Sequence, residues 1–136
     1  MAIEWKDELS VGVREIDDDH KELIAIVNEF GALSRTTPEA AKLKVICDRL
    51  LDYANRHFER EERLQRLAAY PGYDEHRAAH NILIDTLESF IQRYFVEQRE
   101  PIDDLTATEM RGFLRTWLID HILKMDLKMK GRLAPG

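Results

Sequence analysis

Five histidines and two acidic residues of this 136-residue sequence are spaced so that they could bind metal ions together. They are His20, His57, Glu61, His76, His80, His121 and Asp126. His76 and His80 are four residues apart, and on an α-helix such a step rotates a side chain by only about 40°. Both imidazoles can therefore point to one metal ion. A lone histidine on an apolar helix face, by contrast, is usually a core residue with one hydrogen-bond partner.

The positions of the five histidines favour a shared role over five separate packing roles. Each histidine falls within an apolar stripe that repeats in steps of three and four residues. Glu61 follows His57 by four residues on the same stripe. Burying Glu61 or Asp126 without a compensating cation would cost several kcal/mol per carboxylate. A metal centre is the simplest explanation for these residues.

His121 and Asp126 fit the helical pattern least well, because they are five residues apart. A five-residue step rotates a side chain by about 140°. The two residues therefore approach a common point from opposite sides of their helix, or the helix unwinds locally between them.

The types of ligand constrain the number and kind of metal ions. Seven donors are too many for one tetrahedral zinc ion, and the single cysteine excludes cysteine-rich zinc and iron–sulfur sites. Two metal ions are implied. The repeated Glu-x-x-His motif of ferritin-like carboxylate sites is absent at these histidines. Such a nitrogen-rich site suits iron, cobalt or copper and leaves the choice among them open.

Helix breakers predict the elements that position these residues. Pro38, Pro71 and Pro101 divide the chain into four stretches of similar length, as expected for four helices joined by short turns. The first helix is predicted to begin within Asp17 to Asp19 and to end near Gly31, and the second to begin at Thr37-Pro38 with Thr37 as N-cap. The third is predicted to begin after Tyr70-Pro71-Gly72. The fourth is predicted to begin at Thr106 to Glu109, which have capping-box spacing.

Short turns place consecutive helices antiparallel. The predicted fold is an all-α, up-down-up-down antiparallel four-helix bundle with the metal site in its core. The residues before Asp17 are predicted to form an extended N-terminal arm across the bundle. Residues 1–136 are expected to form a single domain, a size typical of one hydrophobic core.

Composition excludes several classes of partner. The chain has 20 Lys and Arg against 26 Asp and Glu, so its net charge of −6 argues against nucleic acid. No apolar run is long enough to span a bilayer, and the acidic start does not resemble a signal peptide. We therefore expect a cytoplasmic protein without a membrane span. Cys47 is the single cysteine and cannot form an intramolecular disulfide.

The sequence resembles the hemerythrin family, in particular its single-domain bacterial members. The resemblance rests on Ile16-Asp17-x-x-His20, His57-Phe58-x-x-Glu61-Glu62, Tyr70-Pro71, His76-x-x-x-His80 and Trp117-Leu118-x-x-His121-Ile122-x-x-x-Asp126. It implies two non-haem iron ions joined by an oxo or hydroxo bridge. One iron would be bound by His76, His80 and His121 and the other by His20 and His57, with Glu61 and Asp126 bridging both.

The resemblance implies reversible binding of dioxygen at the iron that has two histidines. Leu118 and Ile122 are candidates to line an apolar oxygen pocket, with ordinary core packing as the alternative. The expected role is storage, sensing or delivery of oxygen rather than enzyme activity, with an oxygen-using enzyme or a signalling protein as a possible partner. The alternatives are a diiron enzyme acting on peroxide, nitric oxide or ferrous iron, and a metal-free interaction bundle that leaves the histidines unexplained.

The sequence departs from the family pattern at three positions near the proposed ligands. Gln65 stands where methionine is common, and Asp19 and Asp120 stand where amides are common. All seven ligand positions are intact. These departures therefore bear on the oxygen affinity and the autoxidation rate, and they do not remove the metal centre.

Overall fold

The computed structural model describes residues 2–36, 39–98 and 101–133. Its four long helices are α1 (Arg14–Ser34), α2 (Ala40–Leu67), α3 (Tyr73–Ile91) and α4 (Asp104–Lys124). A π-helical segment, Gln92–Val96, continues α3, and short 3₁₀ helices occupy Asp7–Leu9 and Asp126–Met129. The described ranges contain no β-strand. The prediction of an all-α four-helix bundle is confirmed.

The start and end of α1 differ from the prediction by three residues each. The helix begins at Arg14 and not at Asp17, because Asp17 binds the preceding arm instead of capping the helix. Its carboxylate accepts hydrogen bonds from the Ser10 hydroxyl at 2.5 Å and from the Val11 backbone N–H at 2.9 Å. At the other end the helix continues past Gly31 to Ser34, since glycine weakens a helix without ending it.

The predicted start of α3 is confirmed, and the predicted start of α4 is wrong. α3 begins at Tyr73, directly after Gly72, as predicted. α4 begins at Asp104 and not at Thr106, because the Asp103 carboxylate is the N-cap and accepts the Thr106 backbone N–H at 2.8 Å. The predicted N-cap at Thr37-Pro38 lies outside the described residues.

Two hydrophobic clusters lie at different levels of the bundle. The large core is built from all four helices, with Leu23, Leu50, Leu87 and Leu114 among its fully buried members. The small cluster consists of Val11, Ile16, Tyr70, Met129 and Leu133. On α1, His20 lies between Ile16 of the small cluster and Leu23 of the large core, so the histidine layer separates the two.

The predicted N-terminal arm is present with two corrections. The Ile3 backbone N–H and C=O both bond to the Asn28 side chain at 2.8 Å, which fixes the arm along α1. One 3₁₀ turn interrupts the arm, and Ile16 belongs to α1.

Cys47 is buried, and burial raises the pKa of its thiol. Among the described residues, no helix is both long enough and apolar enough to cross a membrane.

Candidate metal centre

Five elements bring the seven predicted ligands together in the interior. α1 contributes His20, α2 His57 and Glu61, α3 His76 and His80, α4 His121, and the following 3₁₀ helix Asp126. All seven side chains are buried. The prediction that none of the five histidines lies on a solvated face is confirmed.

The helix unwinds locally between His121 and Asp126. α4 ends at Lys124, and Met125 has φ −115° and ψ −55°, outside regular α-helical geometry. Asp126 then begins the 3₁₀ helix. This change of backbone places His121 Nε2 3.0 Å from Asp126 Oδ1. Of the two possibilities left open by the five-residue spacing, local unwinding is the one observed.

The first group of donor atoms contains three histidines. The Nε2 atoms of His76 and His80 lie 2.8 and 3.1 Å from Glu61 Oε1. The Nε2 atoms of His76 and His121 lie 2.8 and 3.0 Å from Asp126 Oδ1. All five donor atoms are within 4.8 Å of one another, close to the spacing of opposite ligands around one ion with bonds of about 2 Å.

The second group contains two histidines and the same two carboxylates. His57 Nε2 and His20 Nε2 lie 3.1 and 3.8 Å from Glu61 Oε2, and His20 Nε2 lies 2.9 Å from Asp126 Oδ2. These four donors also fall within 4.8 Å of one another. Each carboxylate therefore directs one oxygen to the first group and the other oxygen to the second, which is the geometry of a bridging ligand.

Most of these donor atoms lack a hydrogen-bond partner among the described residues. The unpartnered buried atoms include both oxygens of Glu61, Oδ2 of Asp126 and the Nε2 atoms of His20, His57, His80 and His121. A buried polar atom without a partner costs roughly 1–3 kcal/mol. So many of them converge in one layer that the layer could hold cations, which would compensate this cost. Imidazole nitrogens with carboxylate oxygens and no thiolate fit iron.

Without bound metal, the layer holds protons instead. Burial lowers the pKa of His20, but its close contacts with the charged carboxylates of Asp126 and Glu61 outweigh burial and raise the pKa to about 10. The same opposing effects raise the pKa of His76 to about 9. Burial raises the pKa of Glu61, but the charge of His57 and the close contacts with His20 and His76 hold that pKa well below its ordinary value.

Carboxylates outside the layer contact the far nitrogens of two histidines. His57 Nδ1 lies 2.9 Å from Asp19 Oδ2, and His80 Nδ1 lies 2.8 Å from Glu62 Oε2. Burial raises the pKa of Asp19, but hydrogen bonds from His57, Arg60 and Tyr53 lower it to about 2. Sequence analysis did not identify these contacts. Tyr53 and Arg60 each lie about one helical turn from His57 and so share its face of α2, but no sequence signal joins this face to Asp19 on α1.

Phe58 is a further residue that sequence analysis did not assign to the site. Its ring stacks on His80 with centroids 4.0 Å apart and planes inclined by 10°. It also makes an edge contact with His121 at 5.8 Å and packs on Trp117 at 6.5 Å. Phe58 therefore holds two ring orientations and forms an apolar wall on the side of the three-histidine group.

Comparison with known proteins agrees with this geometry. Residues 11–133 match the family model described as Hemerythrin HHE cation binding domain. The chain belongs to the hemerythrin family. The family binds a diiron centre, and its members are oxygen-binding proteins and not enzymes. The predicted resemblance is confirmed.

Individual hemerythrins resemble the chain over most of its length. It is 30% identical to a bacteriohemerythrin of Stenotrophomonas maltophilia over 118 residues, 87% of this chain and 72% of the relative. It is 31% identical to a bacteriohemerythrin of Clostridium acetobutylicum over 125 residues, 90% of this chain and 94% of that protein. A myohemerythrin of Sipunculus nudus is 28% identical over 129 residues, 95% and 92% of the two chains.

The fold is similar to that of solved hemerythrins. A crystal structure of wild-type hemerythrin superposes with a TM-score of 0.82 at 25% identity, covering 98% of this chain and 99% of that chain. The similarity extends over the whole bundle and is not confined to the histidine layer.

The remaining predicted residues occupy three different environments. Leu118 and Ile122 are buried in the large core of this hemerythrin, and their role in an oxygen pocket stays a prediction. Gln65 is fully buried, and its Nε2 donates to Met129 Sδ at 3.0 Å. Asp120 lies 3.4 Å from Lys124 Nζ in a pair whose side chains are both mostly exposed, so this departure from the family pattern faces solvent.

Proposed function

We propose that this hemerythrin reversibly binds dioxygen at a diiron centre held by the seven residues of the histidine layer. His76, His80 and His121 would hold one iron and His20 and His57 the other, and Glu61 and Asp126 would be shared by both. The main support is the arrangement of the carboxylates, because each directs one oxygen to each histidine group.

The two groups differ in the number of ligands that they offer. The three-histidine group supplies five donor atoms and the two-histidine group supplies four. A bridging oxygen would add one ligand to each, so six-coordination leaves one position at the ion bound by His20 and His57. When bound, the iron pair supplies two-electron redox chemistry and this open position for dioxygen.

The protein's contribution is to hold the ligands fixed and to exclude water. All seven ligands are buried, and His20 and His57 lie beside each other with ring centroids 4.9 Å apart. Leu118 and Ile122 would give dioxygen apolar surroundings, which favour an apolar ligand over water. The two bridging carboxylates reduce the net positive charge that two ferrous ions would otherwise place in a low-dielectric core.

We infer that oxygen binding serves storage, sensing or delivery, with an oxygen-using enzyme or a signalling protein as the recipient in the last two cases. We also infer that residues 1–136 form one domain, since the family match spans 11–133 and the four helices share one core. The cytoplasmic location stays a prediction from the sequence.

The test is iron loading under anaerobic conditions, followed by oxygen cycling. We expect about two iron ions per chain, a new visible absorption band on exposure to oxygen, and loss of that band under vacuum. Glu61→Gln should lose iron because it removes a bridging charge, whereas Glu59→Gln changes an exposed acid on the same helix and should not. A single zinc and no iron in iron-replete protein, or oxygen consumption without release, would contradict the proposal.

A further inference from the structure

Asp19 is buried directly behind a proposed iron ligand. It precedes His20 on α1, and only 4% of its surface is exposed. It is also one of the three positions at which the sequence departs from the hemerythrin pattern. Its side chain does not face the histidine layer; it contacts the outer nitrogen of His57 on α2.

Three side chains of α2 hold the Asp19 carboxylate. Oδ2 lies 2.9 Å from His57 Nδ1 and also accepts a hydrogen bond from Arg60 Nη1. Oδ1 accepts the Tyr53 hydroxyl at 2.8 Å. With both oxygens engaged, the carboxylate cannot rotate without losing a bond. Arg60, which is partly exposed, supplies the positive charge that makes burial of Asp19 tolerable.

A carboxylate at Nδ1 determines what His57 can do at Nε2. The Nδ1–H bond to Asp19 fixes the tautomer, so the Nε2 lone pair faces Glu61 Oε2 at 3.1 Å and is free to bind metal. A negative charge behind the ring also makes the imidazole a stronger electron donor. Both effects act on the two-histidine group, where the open coordination position is proposed.

We propose that Asp19 is a positioning residue for His57, which orients this ligand, fixes its tautomer and stabilises the ferric state of the iron that it binds. The inference rests on the proposed function, because it requires His57 to bind iron. The carboxylate behind His80 is held less firmly: the Glu62 side chain is more exposed, at 16%, and Arg77 Nε lies 4.0 Å from its Oε1. Asp19 therefore gives the two-histidine side the more firmly held carboxylate.

Two substitutions separate the charge of Asp19 from its hydrogen bonds. In Asp19→Asn the amide oxygen can accept from His57 and Arg60 while the amide NH₂ donates to the Tyr53 oxygen, so the geometry is kept and the charge is lost. Asp19→Ala removes both. The matched control is Asp52→Asn, which deletes the same charge from an exposed pair with Arg56 on α2.

The measurements are anaerobic Fe²⁺ titration against a chelator, the midpoint potential of the iron centre, and the His57 Nδ1–H signal in ¹⁵N NMR of Zn²⁺-loaded protein. Asp19→Asn should keep both irons, raise the midpoint potential and shift the His57 signal. Asp19→Ala should lower Fe²⁺ affinity about 10- to 100-fold. Asp52→Asn should match the wild type in all three.

Two results would overturn the inference, and each is distinct from failure of the proposed function. One is a midpoint potential and a His57 signal in Asp19→Asn that equal those of Asp52→Asn. The other is wild-type Fe²⁺ affinity in Asp19→Ala. If the wild-type chain itself fails to bind two irons, the proposed function is wrong as well. If it binds two and the variants behave like the control, only the role of Asp19 is wrong.

Discussion

Removing the metal should make the stability of the bundle depend on histidine protonation. In metal-free protein the pKa of His20 is about 10 and that of His76 about 9, against an ordinary value of about 6.5. Near neutral pH both imidazoles are therefore protonated and neutralise Glu61 and Asp126, whose own pKa values are lowered. These two charges offset the two carboxylates without a metal ion, and the raised pKa of His57 favours further positive charge in the layer.

The sign and size of this effect follow from linkage. A group whose pKa is raised by folding stabilises the native state fully below its unfolded pKa, and the stabilisation is lost as the pH rises through the folded pKa. For His20 and His76 the loss runs from about pH 6.5 to about pH 10. Each pKa unit is worth about 1.4 kcal/mol, so the two shifts together represent several kcal/mol. Total unfolding free energies are only about 5–15 kcal/mol.

The assay is urea unfolding of chelator-treated protein, followed by circular dichroism, at several pH values across this window. The free energy of unfolding should fall steadily between about pH 6.5 and about pH 9.5. Iron-loaded protein is the control: its imidazoles are already neutral, so it should keep its stability over that range and lose it in acid as protons displace the metal.

Proton release gives an independent measure of the same groups. Loading metal near pH 7.5 should expel at least two protons per chain, from His20 and His76, and more where His57, whose pKa is also raised, is protonated, because the carboxylates are already ionised. Calorimetry in buffers of different ionisation enthalpy counts these protons. Constant or rising stability of the metal-free protein above pH 6.5, or metal binding without proton release, would refute the reasoning.

Four further substitutions test separate features. His76→Ala should lower iron content while helix content changes little, because the apolar contacts of α3 persist; iron analysis and circular dichroism measure both. Gly112→Ala should stabilise the protein by roughly 0.5–1 kcal/mol, since it lies inside α4 and the added Cβ meets no atom within 4 Å. Gln65→Met should add about 1–3 kcal/mol in a urea titration by removing a buried amide oxygen without a partner. Ile122→Glu should keep both irons and form less of the oxygenated species, because a carboxylate there could reach the open position or admit water.

Each of these expectations has a contradicting outcome. Full iron retention in His76→Ala would remove it from the proposed ligand set. Destabilisation by Gly112→Ala would mean that α4 needs glycine at that position. Gly72→Ala is the contrasting control: the added Cβ would lie 2.8 Å from the Tyr70 ring, so this substitution should destabilise the protein. Loss of stability in Gln65→Met would show that the amide oxygen has a partner in solution. Unchanged oxygen cycling in Ile122→Glu would exclude its pocket role.

The sequence was sufficient for the four helices and for the burial of the seven ligand candidates, because both follow from local spacing, whereas the burial of Asp19 and Gln65 was not predicted. A four-residue step fixes the relative direction of His76 and His80 whatever else the helix contacts. Helix ends were less accurate, since they depend on which side chain reaches a free backbone N–H. Asp103 and Thr106 both suit an N-cap, and the structure shows that the Asp103 carboxylate is the one that bonds.

Contacts between helices could not be predicted from one sequence. The Asp19 bond to His57 joins residues 38 apart, and the His80 bond to Glu62 joins residues 18 apart on different helices. Their existence depends on the relative rotation of packed helices, which apolar periodicity specifies only to within a broad stripe. The stacking of Phe58 on His80 has the same origin.

The position of the histidine layer explains why protonation and metal binding should be interchangeable in this bundle. On α1 the layer lies between the large core and the small cluster, because His20 stands between Ile16 and Leu23. Two bare carboxylates there would oppose folding by several kcal/mol each. Protons on His20 and His76 remove that opposition before metal binds, and metal binding would displace them. The proposed metal ligands therefore also allow the metal-free bundle to fold, provided that the pH stays below the raised pKa values.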